Sequence, residues 1–385
     1  LSHVAANMID IKGCAIFGFK IYLASPDALK GALVNTLVKA RPTIFLGVPR
    51  VWEKMHEKMA ETGQKASAPL RWLASWAKGV GTAAMEAEDN GTSRPFSFAI
   101  AKPLVFDTIK AKLGFDRCRL FVTSGAPICE PTLAYFRSIY IRISDLYGAS
   151  EATGPITMNR PWNFEYNTAG QALEGTEVVI LNKDANGEGE IAVRGRNVFM
   201  GYLGNEKATE ETIDEQGFLH TGDMGKIDER GFLRITGRFK ELIITGGGEN
   251  VAPVPIETEM LNAMGALSRI VVIGDQKKFL SCLIVLKVEE RDHTKLAGVA
   301  LTVDPNAKTV AEAKASSVWK EYLEKGIKDA NKKAISNAAF VQKYTILDED
   351  LSIENGELTP TLKVKRSVVH KKFAPIIDAM YDQKE

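Results

Sequence analysis

Residues Pro42–Met55 read PTIFLGVPRVWEKM, and two patterns meet inside them. Thr43 to Val48 is an apolar run of strand length, and Pro42 closes the helical pattern that precedes it. A second helix follows from Val51. Upstream, Ser25-Pro26-Asp27 is a helix start, with serine at the cap and proline at the first helical position, and Leu29, Leu33 and Leu37 then repeat at helical spacing. Helix, buried strand and helix in succession point to an α/β fold with a largely parallel sheet.

Further along, Arg119 to Thr123 reads as a short strand ending at Ser124-Gly125-Ala126-Pro127, and Ile139 to Leu146 leads into Tyr147-Gly148. Between them Glu86 to Pro95 is polar, contains Asn90-Gly91, and reads as a surface loop. Glu177–Leu181 and Glu190–Val193 flank a turn rich in Asp, Asn and Gly, a hairpin signal. The character changes after Gly237. Ile270–Ile273 and Ser281–Leu286 read as paired strands, and Trp319, Leu323, Ile327, Ala330 and Ala334 mark one face of an amphipathic helix. A helix docked on a small sheet is the reading of that face, in preference to a membrane-binding helix. The boundary is placed near Arg238 to Glu241, giving a large domain of mixed and parallel sheets with helices (1–239) and a small α+β domain (240–385).

The 385 residues exceed one ordinary core, and 45% hydrophobic with 25% charged residues is usual for a globular protein. A formal net charge of +1 offers no electrostatic case for nucleic acid. Cys14, Cys118, Cys129 and Cys282 form no CxxC pair, so a reducing, cytoplasmic setting is expected. The most apolar segments, Thr43–Val48 and Ile270–Leu286, are too short or too interrupted by charge to cross a bilayer. The first residue is Leu1, inside a helical pattern. The chain therefore reads as trimmed, with room upstream for a targeting or anchoring segment and with peripheral membrane association left open.

Four glycine-rich segments carry the chemical signal: Thr123–Pro127, Tyr147–Glu151, Thr221-Gly222-Asp223 and Thr245–Asn250. Each is expected to follow a strand, where glycine lets a backbone approach a nucleotide. Singly, each is more often a turn than a site.

Taken in order they resemble the signature segments of the acyl-adenylate-forming superfamily. Tyr147–Glu151 (YGASE), Gly217–Gly225 (GFLHTGDMG) and Gly231–Glu257 (GFLRITGRFKELIITGGGENVAPVPIE) carry the resemblance, which runs from Ser2 to Arg366. Pro42–Met55 and Asn250–Glu257 narrow it to long-chain acyl-CoA synthetases of the bubblegum group. The resemblance implies that a fatty carboxylate attacks the α-phosphate of ATP, giving acyl-AMP and pyrophosphate. Coenzyme A thiolate then takes the acyl group and expels AMP. Residues 1–239 would be the C-terminal portion of the large AMP-binding domain, and 240–385 a small mobile domain.

The resemblance also implies roles. Glu151 would hold Mg²⁺ together with phosphate oxygens. Ser150 would contact phosphate from the same loop as Gly148. Tyr147 would stack on adenine or pack at a strand end, and both readings stand. Gly125, Ala126 and Pro127 would line the base. Asp223 would accept both ribose hydroxyls, and Arg238 would bond the ribose or α-phosphate. Lys365 would be the adenylation lysine, four residues after Thr361, with Lys363 as the alternative. Lys240 would be the hinge. Gly246, Gly247 and Gly248 would face the pantetheine channel. An apolar acyl tunnel is expected near residues 120–150, and His3 and His220 are read as structural.

The superfamily's Ser/Thr/Gly-rich loop ending in Pro-Lys-Gly is not found, and the resemblance places it upstream of Leu1. The chain by itself is expected to be unstable or inactive. Two rival readings remain: an adenylating enzyme that hands its acyl group to a carrier protein, and a catalytically silent homologue kept as a structural component.

Overall fold

Arg41 leaves helix α1 (Leu33–Ala40) in the left-handed conformation, with φ 44°, and Pro42 prevents the helix from resuming. The chain then extends as strand β1 (Ile44–Gly47). Val48 stays extended, and Pro49 opens helix α2 (Pro49–Gln64) two residues before the expected start, because proline is preset for a first helical turn. Trp52 locks the two elements together. It is fully buried among Phe45, Phe115, Phe121 and Phe136, and its indole Nε1 donates to the Gly47 and Val122 carbonyls at 3.1 and 3.3 Å. Removing such a side chain costs about 3–5 kcal/mol.

This computed structural model describes residues 4–24, 32–289, 292–334, 336–359 and 362–382. The helix start expected at Ser25, and His3, lie outside them. The chain divides into two units, Leu1–Ile235 and Thr236–Glu385.

In the first unit, helix α3 (Ala68–Asp89) carries on into the expected Glu86–Pro95 loop, because Ala84, Met85 and Ala87 are buried along its last turns. Strands β2 (Leu120–Ser124) and β3 (Ile143–Ala149) run parallel to β1, with Ile44 opposite Leu120 and Phe121 opposite Ile143. Strand β4 (Gly154–Met158) pairs antiparallel with β3, and β5 (Gln171–Ala172) antiparallel with β4, completing a mixed sheet. The expectation that Thr43–Val48 is a buried strand needs correction. Among the described residues β1 pairs with β2 alone, and Ile44 at its start is exposed. A second sheet takes the order β6 (Thr176–Leu181), β7 (Gly189–Gly195), β8 (Leu219–Ile227), β9 (Leu233–Arg238). Its first pair is the hairpin read from the sequence. Tyr147, Ala152 and Ile156 of the first sheet region share one apolar cluster with Ile180, Ile191, Val193, Leu219 and Leu233 of the second.

The second unit begins with the small hairpin β10 (Ile243–Ile244) and β11 (Asn250–Val251), followed by helix α4 (Pro253–Ala263). Strands β12 (Leu267–Ile273) and β13 (Leu280–Leu286) are antiparallel. Helix α5 (Ser317–Asn331) precedes β14 (Val341–Ile346), which runs parallel to β13. Helices α6 (Arg366–Lys372) and α7 (Ala374–Asp382) follow. Every residue of β13 is buried because the sheet is covered on both faces. Ile270 and Val272 pack with Trp319 and Leu323 of α5, while Val271 and Ile273 pack with Val369 and Ile377. Trp319, Leu323, Ile327 and Ala330 form the buried face of α5, and Ala334, beyond its end, packs partly against the same core. Among the described residues no helix is long and apolar enough to cross a membrane.

Candidate functional site

Thr221-Gly222-Asp223 was expected in a loop after a strand, and it lies inside β8. Glu190 faces Met224 and Ala192 faces His220, so Ile191 of β7 opposes three residues of β8, Thr221 to Asp223. This is a bulge, and a bulge re-aims the side chains it carries. Gly222 makes it feasible, with φ 68°. Local hydrogen bonds hold it: Thr221 Oγ1 donates to the Ile191 carbonyl at 2.7 Å and accepts from the Asp223 amide at 3.1 Å, and the Gly222 amide donates to Glu190 Oε1 at 3.2 Å. Glu190 also meets His220 Nδ1 at 2.8 Å. That contact gives His220 a structural tie within the sheet.

The bulge directs Asp223 across to the first sheet. There the Tyr147 hydroxyl donates to Asp223 Oδ2 at 2.7 Å, and both side chains are buried. Two of the glycine-rich segments, 76 residues apart in sequence, thus meet through one hydrogen bond between sheets. The Tyr147 ring lies in the apolar cluster between those sheets, which accounts for its packing.

Glu151 follows in a short 3₁₀ turn (Ser150–Ala152) at the end of β3. Its carbonyl accepts from the Phe199 amide at 2.8 Å, and its Oε1 accepts from the Tyr202 hydroxyl at 3.1 Å. The sequence reading missed Tyr202, since a tyrosine between Met200-Gly201 and Leu203 reads as one more apolar residue. Ser150 and Gly148 are exposed, as are Gly125, Ala126 and Pro127 at the end of β2. Gly148 has a packing reason as well: a Cβ there would stand 2.1 Å from the Gly154 carbonyl oxygen on β4. Asp145, two residues before Tyr147 on β3, is partly buried, and burial pushes its carboxyl up to about 7.

Arg238, Lys240, the glycine trio and Lys365 belong to the second unit. Arg238 is exposed at the end of β9, and Lys240 lies in a 3₁₀ turn, Phe239–Glu241. Thr245–Asn250 joins β10 to β11 as a tight turn, with the Gly248 amide donating to the Thr245 carbonyl at 2.8 Å and the Gly246 amide to the Lys277 carbonyl at 2.7 Å. Gly248 has φ 82°, and a Cβ on Gly246 would meet the Lys277 carbonyl oxygen at 3.1 Å. Those two glycines therefore have reasons within the turn. Gly247 is exposed and has neither.

Around Lys365, the Thr359 amide donates to the Lys363 carbonyl and the Lys363 amide to Thr359 Oγ1, at 2.8 and 3.0 Å. Leu362 and Val364 turn toward the apolar cluster under α6, which leaves Lys363 and Lys365 both exposed. The Lys365 amide donates to the Glu357 carbonyl at 2.7 Å, so its backbone is fixed where its side chain is not buried. Thr361 lies outside the described residues. Two open concavities of the second unit, bordered by Glu324, Gln342 and Tyr344, contain none of the residues read as site residues. Among the described residues no group of three or more His, Cys, Asp or Glu side chains is placed to hold a metal ion by itself.

Residues 1–203 match the AMP-binding enzyme family and residues 240–385 the AMP-binding enzyme C-terminal domain. The chain is 45% identical over 393 residues to the long-chain-fatty-acid–CoA ligase ACSBG2 of Gallus gallus, an alignment covering 99% of this chain and 52% of that protein. It is 41% identical over 397 residues to ACSBG1 of Rattus norvegicus, covering 100% and 55%. The chain thus spans about half the length of the curated relatives it matches. The A domain of carboxylic acid reductase from Segniliparus rugosus, solved with AMP and a co-purified carboxylic acid, superposes with a TM-score of 0.68. The identity is 21%, over 99% of this chain and 53% of that one. That likeness shows the α/β adenylate-forming fold.

Proposed function

Because the chain belongs to the AMP-binding enzyme family, we propose that it is part of a long-chain fatty acyl-CoA synthetase, which activates a fatty acid with ATP to acyl-AMP and passes the acyl group to coenzyme A. The observation that carries this reading is the Tyr147–Asp223 hydrogen bond, which joins the two adenylate-type motifs in one unit. The relatives at 41–45% identity supply the substrate class. Residues 1–239 would be the later part of the large domain and 240–385 the small mobile domain.

In this scheme Asp223, held by Tyr147, presents its carboxylate to a ribose diol. Glu151, steadied by Tyr202, would be the residue that holds Mg²⁺. The ion offsets phosphate charge when bound. Gly125 to Pro127 and Ser150 present exposed backbone and hydroxyl groups to the nucleotide. Arg238 bonds the ribose or α-phosphate, and Lys365 stabilises the charge that builds between carboxylate and α-phosphate. Rotation at Lys240 then withdraws the lysine, and Gly246, Gly247 and Gly248 border the thiol's path.

The test is a CoA-ester assay on the complete protein, with fatty acids from short to very long. CoA esters of the longer acids are expected, with ATP–pyrophosphate exchange lost in Lys365→Ala and Asp223→Ala. Acyl transfer to a carrier protein without CoA-ester formation would favour the carrier reading. Absence of exchange with every acid would favour the silent homologue.

A further inference from the structure

The residue after Lys365 anchors the segment that presents it. Arg366, at the start of α6, reaches two carboxylates of the second unit. Its Nε donates to Glu241 Oε2 at 3.3 Å and its Nη2 to Glu257 Oε2 at 2.6 Å. Glu241 directly follows Lys240. Glu257 sits on α4, and its other oxygen accepts from the Val272 amide on β12 at 2.7 Å. The side chains of Arg366 and Glu257 are only 17% and 13% exposed, and that of Glu241 33%. Arg366 Nη1 and His370 Nε2 are buried beside them without a hydrogen-bond partner among the described residues. Burial raises the Glu257 carboxyl against the pull of Arg366, and it lowers His370 together with the Arg366 charge.

Ion pairs taken out of water seldom add much net stability, because desolvation offsets their attraction. Their contribution is geometric: a planar guanidinium between two carboxylates fixes directions that a single contact would leave loose. One of these carboxylates is rooted in a helix and a strand, and the other in the segment beside the expected hinge. The exposed Lys365 side chain can sweep a wide arc, so the placement of its backbone decides where that arc begins.

We propose that Arg366 is a positioning residue for acyl adenylation, clamping the Lys365 segment to Glu241 beside the hinge and to Glu257 in the sheet-packed helix. The proposal rests on Lys365 being the adenylation lysine. With the clamp intact, the lysine travels with the chain that follows Lys240. With the clamp cut, the backbone bonds around Glu357 persist, but the segment loses its fixed relation to the hinge.

The experiment separates the two half-reactions in the complete protein: ATP–pyrophosphate exchange for adenylation, and CoA attack on supplied acyl-AMP. Glu241→Gln keeps the side-chain volume and acts at the most exposed member of the cluster. It is expected to slow exchange about tenfold, in line with the cost of misplacing a reacting group by a fraction of an ångström, and to change the CoA step by less than about twofold. Arg366→Lys keeps the charge without the fork and should fall between wild type and Arg366→Ala. Thermal unfolding of each variant separates misfolding from misplacement. Equal slowing of both half-reactions overturns the proposal. So does unchanged exchange in folded Glu241→Gln and Arg366→Ala while Lys365→Ala has lost it, an outcome that leaves the lysine assignment standing. Exchange retained in Lys365→Ala overturns that assignment and the clamp with it.

Discussion

Asp223 and Lys365 are held in opposite ways. Asp223 is buried, tied to Tyr147 on another sheet, and aimed by a bulge in its own strand. Lys365 is exposed, and the structure fixes only its backbone and its neighbours. A group that grips a ligand through a whole reaction gains from preorganisation in the core. A group needed for one step gains from a side chain with room to leave. The two should therefore fail differently. Lys365→Ala is expected to cut ATP–pyrophosphate exchange by about 10²–10³-fold, the scale of losing one transition-state contact, with stability within about 0.5 kcal/mol of wild type. Asp223→Ala should lose exchange too, and should also destabilise the protein by about 1–3 kcal/mol because the Tyr147 hydroxyl loses its acceptor. Urea unfolding beside the exchange assay measures both. An equal stability loss in the two variants would break the contrast.

The glycines sharpen the same contrast one step down. Gly148 is hemmed in by the Gly154 carbonyl, whereas the nearest atom to a Cβ on Gly247 is Thr245 Oγ1 at 3.7 Å. Gly148→Ala must push β3 from β4 and is expected to cost about 3 kcal/mol. Gly247→Ala should shift stability by less than about 1 kcal/mol, and any larger effect should appear in the KM for CoA. Unfolding midpoints and CoA kinetics of the two variants decide it. A Gly148→Ala protein of normal stability would mean that β3 and β4 part easily.

The α/β class was legible because periodicity and proline placement are local: Pro42 and Pro49 bracket β1 much as the chain folds it. The paired strands and the α5 face were legible for the same reason. Three features were hidden because they depend on residues far apart. The Ile44 end of β1 is exposed because only one strand pairs with it among the described residues, which no run of apolar letters reveals. Thr221–Asp223 reads as a loop by composition, yet the opposing Ile191 makes it a bulge. Arg366 meets two carboxylates that lie 109 and 125 residues away, a pairing no local pattern shows.

Asp145 shows how the buried region bears on pH. Burial raises its carboxyl from 3.8 to about 7. Between those values the folded protein keeps a proton that the unfolded chain releases, so folding stability falls as pH rises through this window and levels off above it. A full shift of this size would be worth several kcal/mol, but water reaching a partly exposed side chain should trim it to about 1–2 kcal/mol. Asp145→Asn removes the proton and keeps the shape. Its stability relative to wild type should therefore rise by about that amount between pH 4.5 and pH 8 in urea titrations. A difference that stays constant with pH would place Asp145 in contact with water, and would confine the preorganised region to the Tyr147–Asp223 pair itself.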